Sequence, residues 1–597
     1  MITTFRSLVL AAVLPGVAWA QGPSYRVTVN QPAHTFVVRA ELPVPAGRDT
    51  FLISLPAWTP GAYDIDNYAR HVHGFSATTP DGRPLVWDKA DKDTWRIVTN
   101  GARQVVVEFR SNPDSVMLEF SAIGDDFAFF NGTNLLPYAE GGDLNTPAEL
   151  EVRAPDGWRV ATAMASAGAP GRYRADSYHD LVDSPFLMGR LAIDSVIVDG
   201  RPIRFAVYPD SVLTPAVWDS VSDAIRRIAT AQNRIFGGPP YDGYTVLLFA
   251  PFVDMQWAGG LEHHDSQFDA YAGGAFSNRR TGRLGDFARP LLSHEFFHLW
   301  NVKRIRPAEM WPYEYSREQF TPLLWWSEGV TDYYSDVSLA RGGLFSVDRF
   351  VTSVNDNIRQ IEDANEIVAV EDASLNTWIH PTFVDESQYY YPKGSLLGLM
   401  LDIQIREATN NQHSLDDVMR SLYTDFYQRG RGFTTQDLLG LIRRWYRGVD
   451  DFYARYINGR EPLPYQAVLP RGGIAVRVRE TKSPFVGVGA GGGQDGGIAV
   501  VEVTPGSLAE AVGLQPRDVL LRLGEVATRN PETFGAQFRA RYQNSEGQPI
   551  EVVYRREGQQ VTRRGVVRVR TTRTYSVARD PNASPAAAAV LAGIVGR

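Results

Sequence analysis

Leu291-Leu292-Ser293-His294-Glu295-Phe296-Phe297-His298-Leu299-Trp300-Asn301 spells HExxH inside an apolar run. Four residues slightly exceed one helical turn, so a helix over this run projects both imidazoles from one face, where they can hold one metal ion. Glu295, between them, then stands beside the ion's remaining position and can take a proton from bound water. The run predicts a helix from about Pro290 to Asn301 at the heart of a metal-dependent, helix-rich unit.

Catalytic zinc sites usually take three protein ligands and leave a fourth position for water, so HExxH needs a partner. The chain has no cysteine, which leaves histidine and carboxylate as its strong zinc ligands. Glu328, in Trp325-Trp326-Ser327-Glu328-Gly329-Val330-Thr331-Asp332, completes a set of His294, His298 and Glu328 for one Zn2+ per chain. This segment lies on a second helix, predicted from about Pro322 to Arg341 and ended by Gly342-Gly343. Asp332, one turn after Glu328, is placed to accept the outer N–H of a ligating histidine, with His294 the expected partner. His263 and His264 are rival ligands, but neighbours on a strand face opposite ways and cannot easily share an ion. Just before them Glu262, in the strand led by Gly259 and Gly260, is a candidate to hold the charged amine of a substrate's first residue. The reaction also needs a donor for the carbonyl oxygen, typically worth about 10²–10³ in rate. Tyr389, Tyr390 and Tyr391 all precede Pro392-Lys393-Gly394, at the start of a third helix running from Lys393 to about Thr409, and spacing does not choose among them.

Outward from this centre the composition changes on both sides. Residues 1–20 read as an export signal, with Arg6, an apolar stretch from Leu8 to Val17 and Ala18-Trp19-Ala20 as cleavage site, predicting a periplasmic or secreted protein. Residues 21–198 alternate with period two, as in Tyr25 to Val29 and Arg103 to Phe109, and predict an N-terminal antiparallel β-sandwich. After Asp199-Gly200 the catalytic domain, 199–465, begins, with Thr214-Pro215 starting a helix that Gly237-Gly238 closes. Strands resume in 475–575, where Gly497 to Val503 leads into Thr504-Pro505-Gly506-Ser507, a short helix Leu508 to Val512, and Gly513-Leu514-Gln515-Pro516-Arg517-Asp518. This order resembles the PDZ domains of bacterial exported proteases, with Val512 and Arg517 replacing the usual alanine and glycine. Phe485-Val486-Gly487-Val488 looks like that fold's loop for a peptide's terminal carboxylate, which implies a C-terminal peptide as a partner. The tail 576–597, rich in Pro, Ala and Asn, is expected to be disordered. With 44% hydrophobic and 21% charged residues the chain is globular, and its net charge of -8 gives no support for nucleic-acid binding. No segment after the signal has the roughly 20 apolar residues of a membrane span.

HEFFHLWNVKRIRP, LWWSEGVTDYY, GGLEH and YPKG, together with Leu55-Pro56-Ala57-Trp58-Thr59-Pro60-Gly61-Ala62-Tyr63, resemble the glycyl aminopeptidase family of exported gluzincins. The resemblance implies a multidomain α+β architecture: a β domain, a thermolysin-like, mostly helical catalytic domain and a C-terminal PDZ domain. It implies zinc ligation by His294, His298 and Glu328, base catalysis by Glu295, oxyanion binding by Tyr391 and amine recognition by Glu262, although His263 stands where the wider group has asparagine. The implied activity is removal of small first residues, glycine or alanine, from peptides with a free amino terminus. An endopeptidase using the same site, and a PDZ-based binding protein or chaperone with a relic peptidase domain, are the alternatives.

Overall fold

The computed structural model describes residues 22–596 apart from 114–116, 252–256, 273, 279, 365–366, 380–386, 495 and 529–530. The export signal expected at residues 1–20 lies outside them. The chain divides into two compact units, one holding Met1–Ile474 with Arg579–Arg597, the other Ala475–Ala578.

The first unit opens with β structure built on the alternation of its sequence. Tyr25, Val27 and Val29 of strand Ser24–Asn30 turn inward, as do Phe36, Val38, Ala40 and Leu42 of strand Thr35–Pro43. These strands belong to a seven-stranded sheet that faces two four-stranded sheets, with Phe36 edge-on to Phe130 and Phe75 stacked on Trp95 at 4.7 Å. The sandwich is not wholly antiparallel, because Ser24–Asn30 pairs in parallel with Ala148–Arg153. More than a hundred intervening residues supply the crossover that a parallel pair needs.

The domain boundary expected at 198/199 falls inside a hairpin. Asp199 and Gly200, at φ 49° and 78°, form its turn, joining strands Ala192–Val198 and Arg201–Tyr208. Two successive left-handed residues match the twist of paired strands, so this Asp-Gly marks a turn within a sheet and no linker. That sheet has five strands, in the order Ala192–Val198, Arg201–Tyr208, Tyr244–Phe249, Ser266–Ala270, Gly259–Glu262. Phe129 of the sandwich stacks on Phe268 of this sheet at 3.8 Å. The helix Pro215–Phe236 begins at Thr214, whose hydroxyl accepts the Val217 N–H, and ends at left-handed Gly237. Next come the HExxH helix Ala288–His298, the helix Val330–Arg341 and the helix Ser387–Ala408. The last starts six residues before Lys393, so Tyr391 and Pro392 lie within it. Tyr389 and Tyr390, which precede Pro392 in this helix, are buried.

The expectation of a disordered tail is corrected. After strand Val569–Arg579, residues Pro585–Val595 form a helix that packs back on the first unit. Its alanines, poor in sequence complexity, are strong helix formers, and Ala587, Val590, Leu591, Ile594 and Val595 make one buried apolar stripe. Arg341 donates to the Ile594 carbonyl at 2.9 Å and Asn411 to that of Ala589 at 3.0 Å. Among the described residues no helix is long and apolar enough to cross a membrane.

The second unit is an antiparallel sheet of Val488–Gln494, Gly497–Val503, Val519–Leu523, Pro549–Arg556 and Gln559–Val566, with a short strand Val526–Ala527 beside the third. Helices Leu508–Ala511 and Pro531–Tyr542 belong to the same unit. Leu508, Leu520, Leu523, Phe538, Val552 and Tyr554 lie in its core.

Candidate active site

His294 and His298 project from one face of the HExxH helix with their Nε2 atoms 2.9 Å apart. Each ring turns its Nδ1 away. His294 Nδ1 lies 2.7 Å from Asp332 Oδ1, and His298 Nδ1 donates to the Asn301 carbonyl at 2.6 Å. Both Nε2 atoms thus converge on one point, which Glu328 Oε2 approaches to 3.5 Å from His294 and 3.2 Å from His298. Ligands about 2.0–2.1 Å from a tetrahedral ion stand about 3.3 Å apart, so these three atoms fit one zinc ion. Burial would lower the pKa of His294, but Asp332, Glu328 and Glu295 outweigh it and hold the ring well above its ordinary value. Burial would raise Glu328, but His298 and His294 keep it below the usual carboxylate range.

Glu328 sits in a single π-helical turn, Trp325–Gly329, where the sequence predicted plain α-helix. Such turns re-aim side chains at functional sites. Asn301, just beyond the HExxH helix, fastens the turn by donating to the Trp326 carbonyl at 2.9 Å, and Thr331 donates to those of Ser327 and Asn301. The helix Ser387–Ala408 crosses this turn glycine on glycine. A Cβ on Gly394 would stand 2.3 Å from the Trp325 carbonyl oxygen, and one on Gly329 would stand 2.5 Å from Gly394 Cα. The glycines of the SEG and YPKG motifs are therefore the contact that sets Tyr391 beside Glu328. Lys393, 1% exposed, donates to the Val368 carbonyl at 3.2 Å.

Tyr391 lines a cleft of about 610 Å³ together with Gly259, Gly260, His294, Glu295 and Asp332. Its ring centroid is 6.0 Å from that of His294. Burial first, and then Glu328, keep its phenol well above the ordinary pKa, so it remains an O–H donor. Glu295 packs against the bare Cα of Gly260, where a Cβ would meet its carboxylate at 2.4 Å. Burial, reinforced by Asp269 and Glu262 and opposed by both histidines, pushes Glu295 up to about 8.

Glu262, 4% exposed, brings a carboxylate oxygen within 4.8 Å of ligand atoms of Glu295 and His298. Among the described residues its Oε1 meets no hydrogen-bond donor. His263 and His264 point elsewhere: His263 Nδ1 is 3.0 Å from Asp183, which also takes the buried Lys303 ammonium at 2.9 Å, and His264 Nδ1 is 3.2 Å from Asp265.

Sequence reasoning missed Tyr63. This sandwich residue, 265 positions away in the chain, donates to Glu328 Oε1 at 2.7 Å. Two residues earlier, Gly61, at φ 111°, lies so close to Glu262 that a Cβ there would meet its Oε2 at 2.6 Å. The segment Leu55 to Tyr63 was legible only as a family pattern. Gly61, after Pro60, was the available signal of a tight approach.

In the second unit the segment Phe485–Val488 leads into the strand Val488–Gln494. The carbonyls of Val486 and Gly487 accept from Ala509 and Thr504, both at 2.9 Å, and Gly487, at φ 78°, abuts Ser507. Arg517, which stands where the resembled motif has glycine, adopts φ 79°.

Residues 24–190 match the family profile described as Peptidase M61 N-terminal domain, and residues 288–397 match that described as M61 glycyl aminopeptidase. No curated protein sequence matches the chain. A crystal structure of an aminopeptidase N family protein from Idiomarina loihiensis aligns with 96% of this chain and 100% of its own at 22% identity, and its TM-score of 0.75 shows a common fold. An M1 zinc metallopeptidase from Deinococcus radiodurans aligns with 74% of this chain and 95% of its own, at 14% identity and a TM-score of 0.47. The chain thus carries regions that match the M61 N-terminal domain and the M61 glycyl aminopeptidase domain, in that order.

Proposed function

We propose that the protein is a zinc-dependent aminopeptidase that hydrolyses the first peptide bond of substrates with a free amino terminus and prefers glycine or alanine as the first residue. The observation that carries this reading is Glu262, a buried carboxylate with an unpartnered oxygen beside the convergent His294, His298 and Glu328. A buried carboxylate without a partner is costly, and a substrate ammonium satisfies it. Gly61 packs on the same carboxylate, which leaves little room for chain before the first residue.

His294, His298 and Glu328 would hold the zinc ion, which would supply Lewis-acid polarisation and acidify water there. Glu295 takes the proton from the attacking water and hands it to the leaving amine. Tyr391 donates its O–H to the carbonyl oxygen as negative charge develops there. Asp332 fixes the His294 ring through Nδ1. An extended substrate can add its backbone to the edge strand Gly259–Glu262. We also read residues 1–20 as an export signal to the periplasm or medium, and Ala475–Ala578 as a PDZ domain whose segment Phe485–Val488 receives a peptide's terminal carboxylate.

The test is a panel of glycyl and alanyl amides, free and N-acetylated, on zinc-loaded protein. Cleavage confined to free amines, lost in Glu295→Gln and raised in KM by Glu262→Gln, is the expected result. Equal cleavage of acetylated substrates would make the protein an endopeptidase, and activity unchanged in Glu295→Gln would remove the peptidase reading.

A further inference from the structure

The sandwich sends one loop into the catalytic centre, and several contacts fix it there. Ala57 N–H donates to the Tyr315 carbonyl at 2.7 Å, and Trp58 Nε1 donates to that of Glu314 at 2.8 Å. The Trp58 ring, fully buried, lies edge-on to Trp378 at 5.0 Å and to Tyr313 at 5.9 Å. Tyr63, at the loop's end, is 3% exposed and edge-on to Trp378 at 6.0 Å. Its backbone is left-handed, φ 53°, a conformation a bulky residue adopts only when its surroundings impose it, and such residues gather at functional sites.

The two oxygens of Glu328 are divided. Oε1 accepts from Tyr63, while Oε2 faces both imidazoles. Tyr391 opens onto the cleft, whereas Tyr63 is buried against Trp378. Both phenols face Glu328, but Tyr391 does so from the cleft, where substrate can reach it, and Tyr63 from a buried position.

We propose that Tyr63 is a positioning residue of the zinc site: by occupying Glu328 Oε1 it makes Glu328 a one-oxygen ligand through Oε2, and it ties the affinity for zinc to the docking of the N-terminal sandwich. This rests on the reading of His294, His298 and Glu328 as zinc ligands. A carboxylate free to turn would offer both oxygens and crowd the position that water and substrate carbonyl must share.

The test is Tyr63→Phe in the full chain, which removes only the hydroxyl and keeps the ring against Trp378. Zinc affinity is read by chelator competition on metal-free protein, independently of peptidase activity. The dissociation constant is expected to rise about 10–100-fold, with the melting temperature of the metal-free protein little changed. Tyr391→Phe, by contrast, should lower kcat and cost less zinc affinity than Tyr63→Phe, because Tyr391 faces Glu328 from the open cleft. In a Glu328→Ala background Tyr63→Phe should change zinc affinity no further, because its effect passes through Glu328. Zinc affinity of Tyr63→Phe within twofold of the native protein, or an equal loss in the Glu328→Ala background, overturns the proposal. Failure of the native protein itself to bind zinc would overturn the metal reading beneath it.

Discussion

Gly394→Ala places a methyl group 2.3 Å from the Trp325 carbonyl oxygen and 2.9 Å from Gly329 Cα. Both neighbours are backbone, so no side chain can swing aside. Carbon and carbonyl oxygen settle at about 3.3 Å or more, which requires the helix Ser387–Ala408 and the turn Trp325–Gly329 to part by about 1 Å. That movement separates Tyr391 from Glu328. Misplacement by about 1 Å costs about 100-fold in rate, and overpacking of this kind costs about 1–3 kcal/mol of stability. The expected outcome is a kcat/KM on a glycyl or alanyl amide lower by about 100-fold, carried mainly by kcat, with a lower melting temperature. Gly440 is the internal control. It lies in helix Thr435–Arg443 with nothing within 4 Å of an added Cβ, so Gly440→Ala should stabilise by about 0.5–1 kcal/mol and leave activity unchanged. Wild-type activity and stability in Gly394→Ala would refute the glycine-on-glycine account of how Tyr391 is placed.

Asp332→Asn removes the charge that faces His294 Nδ1 and should weaken zinc binding about 10–100-fold, measured by chelator competition. Asp183→Asn leaves the buried Lys303 ammonium without its counter-charge and should cost about 3–5 kcal/mol in denaturant unfolding. Burial would raise Asp183, but Lys303 and then His263 hold it well below the usual range. Its stabilisation is thus fully present above the unfolded carboxyl value of about 3.9 and lost as pH falls toward the folded one, so acid titration should show a loss below about pH 4 that Asp183→Asn lacks. Arg517→Gly relieves a left-handed arginine and should stabilise Ala475–Ala578 by about 1 kcal/mol, seen as slower amide exchange in that unit; unchanged exchange would mean the arginine is unstrained.

What was legible in the sequence was local. The i, i+4 spacing of His294 and His298, the Thr214-Pro215 cap with Gly237, and the period-two runs of the sandwich each depend on neighbours within a turn or two. The Asp332–His294 contact also follows from placing two short motifs on helices. The illegible features join distant residues or contradict local rules. Tyr63 reaches Glu328 across 265 positions, the crossing of Gly329 and Gly394 needs two helices at once, and the π turn adds a residue that no periodicity announces. The helix Pro585–Val595 was hidden because alanine-rich sequence satisfies both a disordered and a helical reading until its apolar stripe finds a partner.

That helix has a consequence for biosynthesis. The first unit is interrupted by Ala475–Ala578, and the stripe that covers helices Val330–Arg341 and Ser387–Ala408 is translated after the interruption. The growing chain must therefore hold an open apolar surface beside its catalytic helices while the whole second unit is made, reversing the usual order in which the amino-terminal domain is finished first. The core of the first unit is therefore completed late in synthesis, after the second unit has been made.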